Sequence, residues 1–308
     1  MITTGNNWTL THGDSCEALP TLPDNSVDLS VYSPPFSSLY TYSASERDIG
    51  NCSTHEEFLD HLGFIIRELL RVTKPGRLTC CHIAQTTTTK ATQGVIGLND
   101  LRGDVISAFK QAGWIHHGEV TVDKDPQAQA IRTHSKALLF VQLRKDRSWL
   151  RPALADFVCI FRKPGDNEVP IASDDIDNET WIKWAHQVWY DIRETDTLNV
   201  VEARENDDER HICPLQLGLI ERCVRLWSNP GELVLSPFAG IGSEGYEAVR
   251  LGRRFWGCEL KESYARVAVK NLSVAETLRT QGSLFDEAEV IPAHVRTGRG
   301  GLVIEETT

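Results

Sequence analysis

Two stretches in opposite halves of this chain combine side chains and turns that could do chemistry. The first, Ser33-Pro34-Pro35-Phe36, sets a hydroxyl, two rigid prolines and an aromatic face directly after an apolar run. Two prolines end a strand and stiffen the chain beyond it, so taken alone the stretch also fits an ordinary Pro-Pro turn. The second, Gly240-Ile241-Gly242-Ser243-Glu244-Gly245, fits G-x-G-x-x-G between a strand and a helix. Glycines let backbone approach a ligand closely, while helix-terminal N–H groups face its polar end. Glu259 follows 19 residues after Gly240, where a carboxylate can accept both hydroxyls of a ribose. This loop fits a nicotinamide dehydrogenase as well as a methyltransferase, and a plain strand-to-helix turn stays open beside them.

The elements that must position these stretches read as alternating strands and helices. Residues 27–32 alternate toward the strand period and run into Ser33. Residues 55–72 show helical periodicity (Phe58, Leu62, Ile65, Ile66, Leu69, Leu70), with Ser53 or Thr54 as cap and Lys74-Pro75-Gly76 as stop. A strand over 78–83 and a helix over 100–112, ending at Gly113-Trp114, come next. From 121 to 205 the regularity fades. Asp123-Lys124-Asp125-Pro126 breaks the pattern, and residues 138–141 and 157–161 read as buried strands. Trp181, Trp184, Trp189 and Tyr190 concentrate aromatic surface, which at this spacing favours core over a base-stacking face. Order returns with a helix over 215–227, a turn at Asn229-Pro230-Gly231, a strand over 233–235, a helix over 244–251, a strand over 255–258 and a helix over 262–278. The tail after Arg279 reads as loosely held. Strand–helix–strand repetition of this kind predicts a mostly parallel α/β sheet covered by helices.

Composition narrows the setting. The 308 residues suffice for one elaborate domain or two smaller ones. No apolar stretch approaches a membrane span, and the N-terminus lacks the pattern of a signal peptide, so a cytoplasmic protein is expected. Eight scattered cysteines without a C-x-x-C pair read as reduced, mostly buried thiols, and His211 and Cys213 have no second ligand pair at zinc spacing. The net charge of −11 runs against a basic nucleic-acid footprint, but it is unevenly spread. Residues 124–165 hold nine Lys/Arg against three Asp/Glu, and residues 166–210 hold four against fourteen. A basic segment before an acidic one fits a single DNA-facing surface, and it equally fits two solvated faces. His116-His117 read as structural.

Ser236-Pro237-Phe238-Ala239-Gly240-Ile241-Gly242-Ser243 resembles the D-P-F-x-G-x-G-[TS] loop of the amino-methylating DNA methyltransferases, which cradles S-adenosylmethionine. His211-Ile212-Cys213-Pro214-Leu215-Gln216-Leu217 resembles their H-P-x-Q-K-P element, and Ser33-Pro34-Pro35-Phe36 matches their [DNS]-P-P-[YFW] motif. Gly13-Asp14-Ser15 is similar to the G-D pair near the cofactor adenine. The chain departs from the family twice: Ser236 replaces the usual Asp and Leu217 the usual Lys.

The resemblance spans 10–115 and 205–275 and implies a Rossmann-like S-adenosylmethionine-dependent methyltransferase fold in the permuted order of the β group. A catalytic half is expected over 1–120, a target recognition region over 121–205, a cofactor-binding half over 206–278 and a flexible tail over 279–308. It also implies roles. Asp14, Pro214, Gln216, Ser236, Pro237, Phe238, Gly240, Gly242, Ser243 and Glu259 would hold the cofactor. The Ser33 hydroxyl and the Pro34 carbonyl, aimed by Pro35, would hold an exocyclic amine with its lone pair toward the methyl group, and Phe36 would face a flipped base. Arg132, Lys136, Arg144, Lys145 and Arg147 would contact DNA. Ser33 and Phe36 lean toward cytosine N4 over adenine N6. Carbon-5 methylation is excluded, because the chain has no Pro-Cys dipeptide to supply its nucleophile.

The resemblance implies double-stranded DNA as partner and a bacterial or phage restriction-modification setting. A homodimer, and a sliding clamp bound through Gln281-Gly282-Ser283-Leu284-Phe285, are further partner expectations. Residues 37–42 read as a closing segment or a plain loop. A nicotinamide oxidoreductase, a methyltransferase of RNA or of a glutamine, and a DNA-binding module without activity remain as rivals.

Overall fold

A computed structural model describes every residue except 36–47, 53, 89–93, 134, 173–175, 200–213 and 290–308, and backbone alone at 132, 133, 136 and 282–289. The chain enters through the hairpin β1 (Ile2–Thr4) and β2 (Trp8–His12), then the short helix α1 (Ser15–Ala18). Next come β3 (Val27–Tyr32), buried along its whole length, and α2 (His55–Val72). Thr54 caps α2, its hydroxyl accepting from Glu57 N at 3.1 Å. β4 (Thr73–Ala84) begins at the very next residue, earlier than its apolar run predicts. Lys74-Pro75-Gly76 does stop the helix, but as a bulge inside the strand: Thr73 pairs with Val27 and Leu78 with Leu29.

The small hairpin β5 (Thr86–Thr88) and β6 (Gly97–Asn99) leads to α3 (Leu101–Gln111) and β7 (Ile115–Val122). An excursion carrying α4 (Pro126–Thr133) and α5 (Gln142–Lys145) returns into β8 (Asp156–Arg162). α6 (Asn178–Trp184) and β9 (Val188–Trp189) precede the second regular half. That half is α7 (Leu217–Trp227), β10 (Leu233–Ser236), α8 (Ser243–Arg250), β11 (Arg254–Glu259) and α9 (Glu262–Glu289).

Nine strands form one sheet in the order β1-β2-β11-β10-β3-β4-β8-β7-β9. From β2 to β4 all pairings are parallel, and the antiparallel β8 and β7 extend the sheet beyond β4. Helices cover both faces. On one, Leu219, Ile220, Val249, Ala268 and Leu272 pack against Leu10, Leu29, Val31 and Ile160. On the other, Phe58, Leu62, Leu69, Val105 and Phe109 pack against Cys81, Ile83, Phe161 and Leu235. The Phe109 and Phe161 rings stack with centroids 3.8 Å apart. Burial on both faces is why β10 begins as an apolar run without alternation, whereas β3 alternates but buries Asp28 and Ser30 with its apolar residues.

Four expectations differ from this structure. Residues 138–141 form no buried strand: a 3₁₀ turn (Lys136–Leu138) leads into α5, and Phe140 is 71% exposed. A short apolar run has no periodicity of its own to separate the two outcomes. β4 starts at Thr73 although the strand was expected over 78–83. The Trp group divides: Trp189 is core, whereas Trp181 is 54% exposed and Trp184 lies against the guanidinium groups of Arg222 and Arg225. The chain after Arg279 is helical to Glu289, so the Gln281–Phe285 stretch lies within α9.

Candidate active site

The expected site residues gather at the edge of the sheet where its parallel strands end. β10 ends at Ser236, and the loop to α8 crosses the end of β11, where Ala239 N donates to Cys258 O at 2.9 Å. The glycines of this loop do different work. Gly242 has φ +87°, the left-handed region that favours glycine, and a Cβ there would press on Ala268 of α9 at 3.1–3.2 Å. At Gly245 an added Cβ would lie 2.5 Å from Leu272 and Phe255, so glycine sets the approach of α8 to α9 and β11. At Gly240 a Cβ would meet no atom within 4 Å, which leaves the loop's outer face accessible to a ligand.

Glu259 ends β11 and is tied to backbone: Oε2 accepts from Gly240 N and Oε1 from Lys261 N, both at 2.8 Å. Its carbonyl accepts from Gly13 N at 2.9 Å, which brings the Gly13-Asp14-Ser15 turn to the same edge. Asp14 there caps α1, accepting from Cys16 N at 2.8 Å, and the Ser15 hydroxyl donates to the Pro237 carbonyl. Burial pushes the Glu259 carboxyl up to about 7 and that of Glu244, in the first turn of α8, up to about 8.

Gln216 stands at the cap position of α7 beside the half-buried Pro214. Of the buried side-chain atoms without a hydrogen-bond partner among the described residues, three belong to expected cofactor residues: Gln216 Oε1, Ser236 Oγ and Ser243 Oγ. Buried polar atoms are normally satisfied, so this group, with the accessible face at Gly240, suits a polar ligand laid along the loop.

The catalytic stretch leaves β3, the parallel neighbour of β10, with Leu235 opposite Ser30. Phe238 touches Tyr32, the residue before Ser33, at 5.9 Å between ring centroids. The two motifs, distant in sequence, therefore leave adjacent strands side by side. Pro34 is buried and Pro35 half-buried, while Phe36 and residues 37–42 lie outside the described residues.

Ser33 also has partners that the sequence reading missed. Its Oγ lies 3.1 Å from His82 Nδ1 and 3.2 Å from the His82 carbonyl. His82 Nε2 lies 3.2 Å from Asp156 Oδ2, and Lys124 Nζ lies 2.6 Å from the same oxygen. Burial alone would raise the Asp156 carboxyl, but His82 and Lys124 hold it below the ordinary carboxylate value. One signal was available for His82: it is the imidazole inside the apolar run 78–83.

The DNA methylase model of the N6 and N4 amino-methyltransferases matches residues 27–270. The chain belongs to this family. It is 26% identical to the type II methyltransferase M.BglII of Bacillus subtilis over 270 residues, 85% of this chain and 68% of that protein. It resembles the solved structure of TTHA0409, a putative DNA modification methylase from Thermus thermophilus complexed with S-adenosyl-L-methionine. That likeness has a TM-score of 0.65 at 25% identity and covers 86% of this chain and 93% of the other. The cytosine-N4-specific PvuII DNA methyltransferase shares the fold at a TM-score of 0.62 and 18% identity, over 90% and 93% of the two chains.

In this DNA methylase family member, the basic residues expected to contact DNA are only partly within view. Arg144, Lys145 and Arg147 are exposed on and beyond α5, with the Arg144 guanidinium 5.6 Å from the Phe140 ring centroid. The side chains of Arg132 and Lys136 lie outside the described residues, as do His211 and Cys213. None of the seven described cysteines is in a disulfide, and six are buried. Among the described residues there is no cluster that could hold a metal ion and no helix long and apolar enough to cross a membrane.

Proposed function

We propose that this chain transfers a methyl group from S-adenosylmethionine to the exocyclic amine of a base flipped out of double-stranded DNA, with cytosine N4 as the target. The observation that carries this reading is the departure of Ser33 and of the Ser236–Gly242 loop from adjacent parallel strands. In this reading the Ser33 hydroxyl would hold the amine and the neighbouring loop would hold the cofactor. Ser236 Oγ, Ser243 Oγ and Gln216 Oε1 would supply hydrogen-bonding groups for the cofactor's polar end, and Glu259 and Asp14 would serve its ribose and adenine. When bound, the cofactor supplies an electrophilic methyl group on a sulfonium.

The chain's own residues do the rest. An exocyclic amine conjugated to its ring is a poor nucleophile, because its lone pair is delocalised. Hydrogen bonds from the amine to Ser33 Oγ and the Pro34 carbonyl favour tetrahedral nitrogen and aim the lone pair, and the prolines preorganise that carbonyl. Ser33 and the aromatic Phe36 are the residue types that favour cytosine, while the family also includes N6 enzymes.

Residues 123–155 leave the end of β7 and return at the start of β8, at the same edge as Ser33. Their exposed Arg144, Lys145 and Arg147 suit phosphates, and Phe140 and Trp149 suit bases or sugars. The test is incubation of the purified protein with unmethylated DNA and S-adenosylmethionine, followed by digestion to nucleosides and mass spectrometry. N4-methylcytosine is expected. N6-methyladenine would overturn the base assignment alone, and methylation of RNA or protein with none in DNA would overturn the substrate.

A further inference from the structure

Methylation of an amine leaves a proton to be removed, and the roles given so far leave His82, Asp156 and Lys124 unused. We propose that His82 accepts this proton through the Ser33 hydroxyl, with Asp156 and Lys124 as its positioning residues. The inference rests on the amino-methylation reading above and deepens it.

The geometry comes from the sheet. Four neighbouring strands, β3, β4, β8 and β7, each deliver one member at or just beyond the same edge. Ser33 follows β3, His82 lies near the end of β4, Asp156 begins β8, and Lys124 lies two residues past β7. The antiparallel run of β8 is what puts its first residue beside the last residues of β4, with Ala84 opposite Asp156. A carboxylate accepts only, so His82 Nε2 carries the hydrogen toward Asp156, which leaves Nδ1 at 3.1 Å as an acceptor for the one Ser33 O–H, alongside the His82 carbonyl at 3.2 Å.

His82 and Lys124 are buried, at 7% and 5% exposure. Burying charged and titratable groups is costly, and apolar residues of similar size commonly stabilise a fold as well or better. Packing alone therefore gives weak grounds for this set, whereas proton transfer needs it.

The step balances. As the N4–CH3 bond forms and the methyl–sulfur bond breaks, with its electron pair going to sulfur, the amine nitrogen becomes cationic and acidic. One amine proton passes to Ser33 Oγ while the Ser33 hydroxyl proton passes to His82 Nδ1. The resulting imidazolium is stabilised by the Asp156 carboxylate through Nε2–H. The groups facing His82 are Ser33 from β3, Asp156 from β8 and, across that carboxylate, Lys124 from beyond β7. Lys124 holds Asp156 ionised and divides its pull, so the proton can be passed on to solvent after turnover.

Single-turnover methylation of duplex DNA, with cofactor affinity from calorimetry, tests the assignment. His82→Ala should bind cofactor as wild type does and methylate roughly 10²-fold more slowly, the scale of a lost general base. Added imidazole should restore part of that rate. The wild-type rate should fall at low pH, His82→Gln should not show that fall, and Lys124→Met should slow methylation while leaving cofactor affinity unchanged. Without cofactor or DNA, imidazole nitrogen resonances should show the Nε2–H form in the wild type and shift in Ser33→Ala.

Full-rate methylation by His82→Ala would overturn the proposal. So would a loss that is equal at every pH and indifferent to imidazole, because that is a structural defect. A wild-type chain that methylates no DNA would overturn the amino-methylation reading and this role with it, whereas an active wild type with an equally active His82→Ala would remove only the role of His82.

Discussion

The two halves of the proposed site are built differently. The proposed cofactor side centres on one strand–loop–helix–strand unit, β10 to β11, joined by the Gly13-Asp14-Ser15 turn and by Gln216, and its ties run mostly through backbone: Gly240 N to Glu259, Ala239 N to Cys258 O, Gly13 N to the Glu259 carbonyl. The proposed catalytic side draws Ser33, His82, Asp156 and Lys124 from four strands and joins them through side chains. Binding a nucleoside-like ligand needs close backbone and a few acceptors, which a short local motif can encode. Moving a proton needs side chains converging within hydrogen-bond distance, which here depends on strand register across the sheet.

The contrast can be broken at several points. The largest effect is expected on the catalytic side: Ser33→Ala should leave cofactor affinity unchanged in calorimetry and lower turnover by at least tenfold, on the scale of a lost transition-state hydrogen bond. Equal loss of binding and turnover would dissolve the division between the sides. On the cofactor side, Glu259→Ala should weaken cofactor binding roughly tenfold, since a hydrogen bond to a charged group is worth about 1.5–3 kcal/mol. Unchanged affinity would reduce Glu259 to a tether for Gly240.

Gly245→Ala tests packing alone. Its methyl group would collide with Leu272 and Phe255, so a loss of about 1–3 kcal/mol should appear as a lower Tm. An unchanged Tm would show that α8 can shift away without cost.

Glu244 and Glu259 sharpen the comparison by pH. Their ordinary value is 4.5, but in the folded chain they titrate at about 8 and about 7. Between those limits the folded state holds the extra protons. Their contribution to stability is therefore full below 4.5 and lost as pH rises through 7 to 8. The Tm of the ligand-free protein should fall across that interval, and less so in Glu244→Gln. An identical slope in the variant would refute the assignment. The smallest effect is expected at the basic excursion: Arg144→Ala or Lys145→Ala should each weaken DNA binding uniformly across sequences and lower the salt slope by about one. Weakening confined to one DNA sequence would instead make the residue a base reader.

What was legible in the chain divides along the same line. Thr54, the stripe of α2, the strand before Ser33 and the glycine loop were readable because capping, periodicity and turn chemistry are local. The role of His82 was not, because a single polar residue in an apolar run has no neighbour in sequence to explain it. Its partners, 42 and 74 positions downstream at Lys124 and Asp156, meet it only through the order β4-β8-β7. Leu138–Val141 misled in the other direction: an apolar run looks the same whether a sheet takes it in or an exposed surface displays it, and here Phe140 is displayed. Glu259 was correctly placed at the end of a strand, but its ties to Gly240 N and Lys261 N required the folded loop.

By itself, then, the amino-acid sequence determined the α/β succession, the family and both loops, since each is written in neighbouring residues whose conformational preferences act over a few positions. Tertiary structure alone decided that the two loops leave adjacent strands, that the excursion after β7 rises at the same edge, and that Ser33 meets His82, Asp156 and Lys124. Sheet order and register set those meetings, and they arise from burial on both faces of the sheet acting over the whole chain.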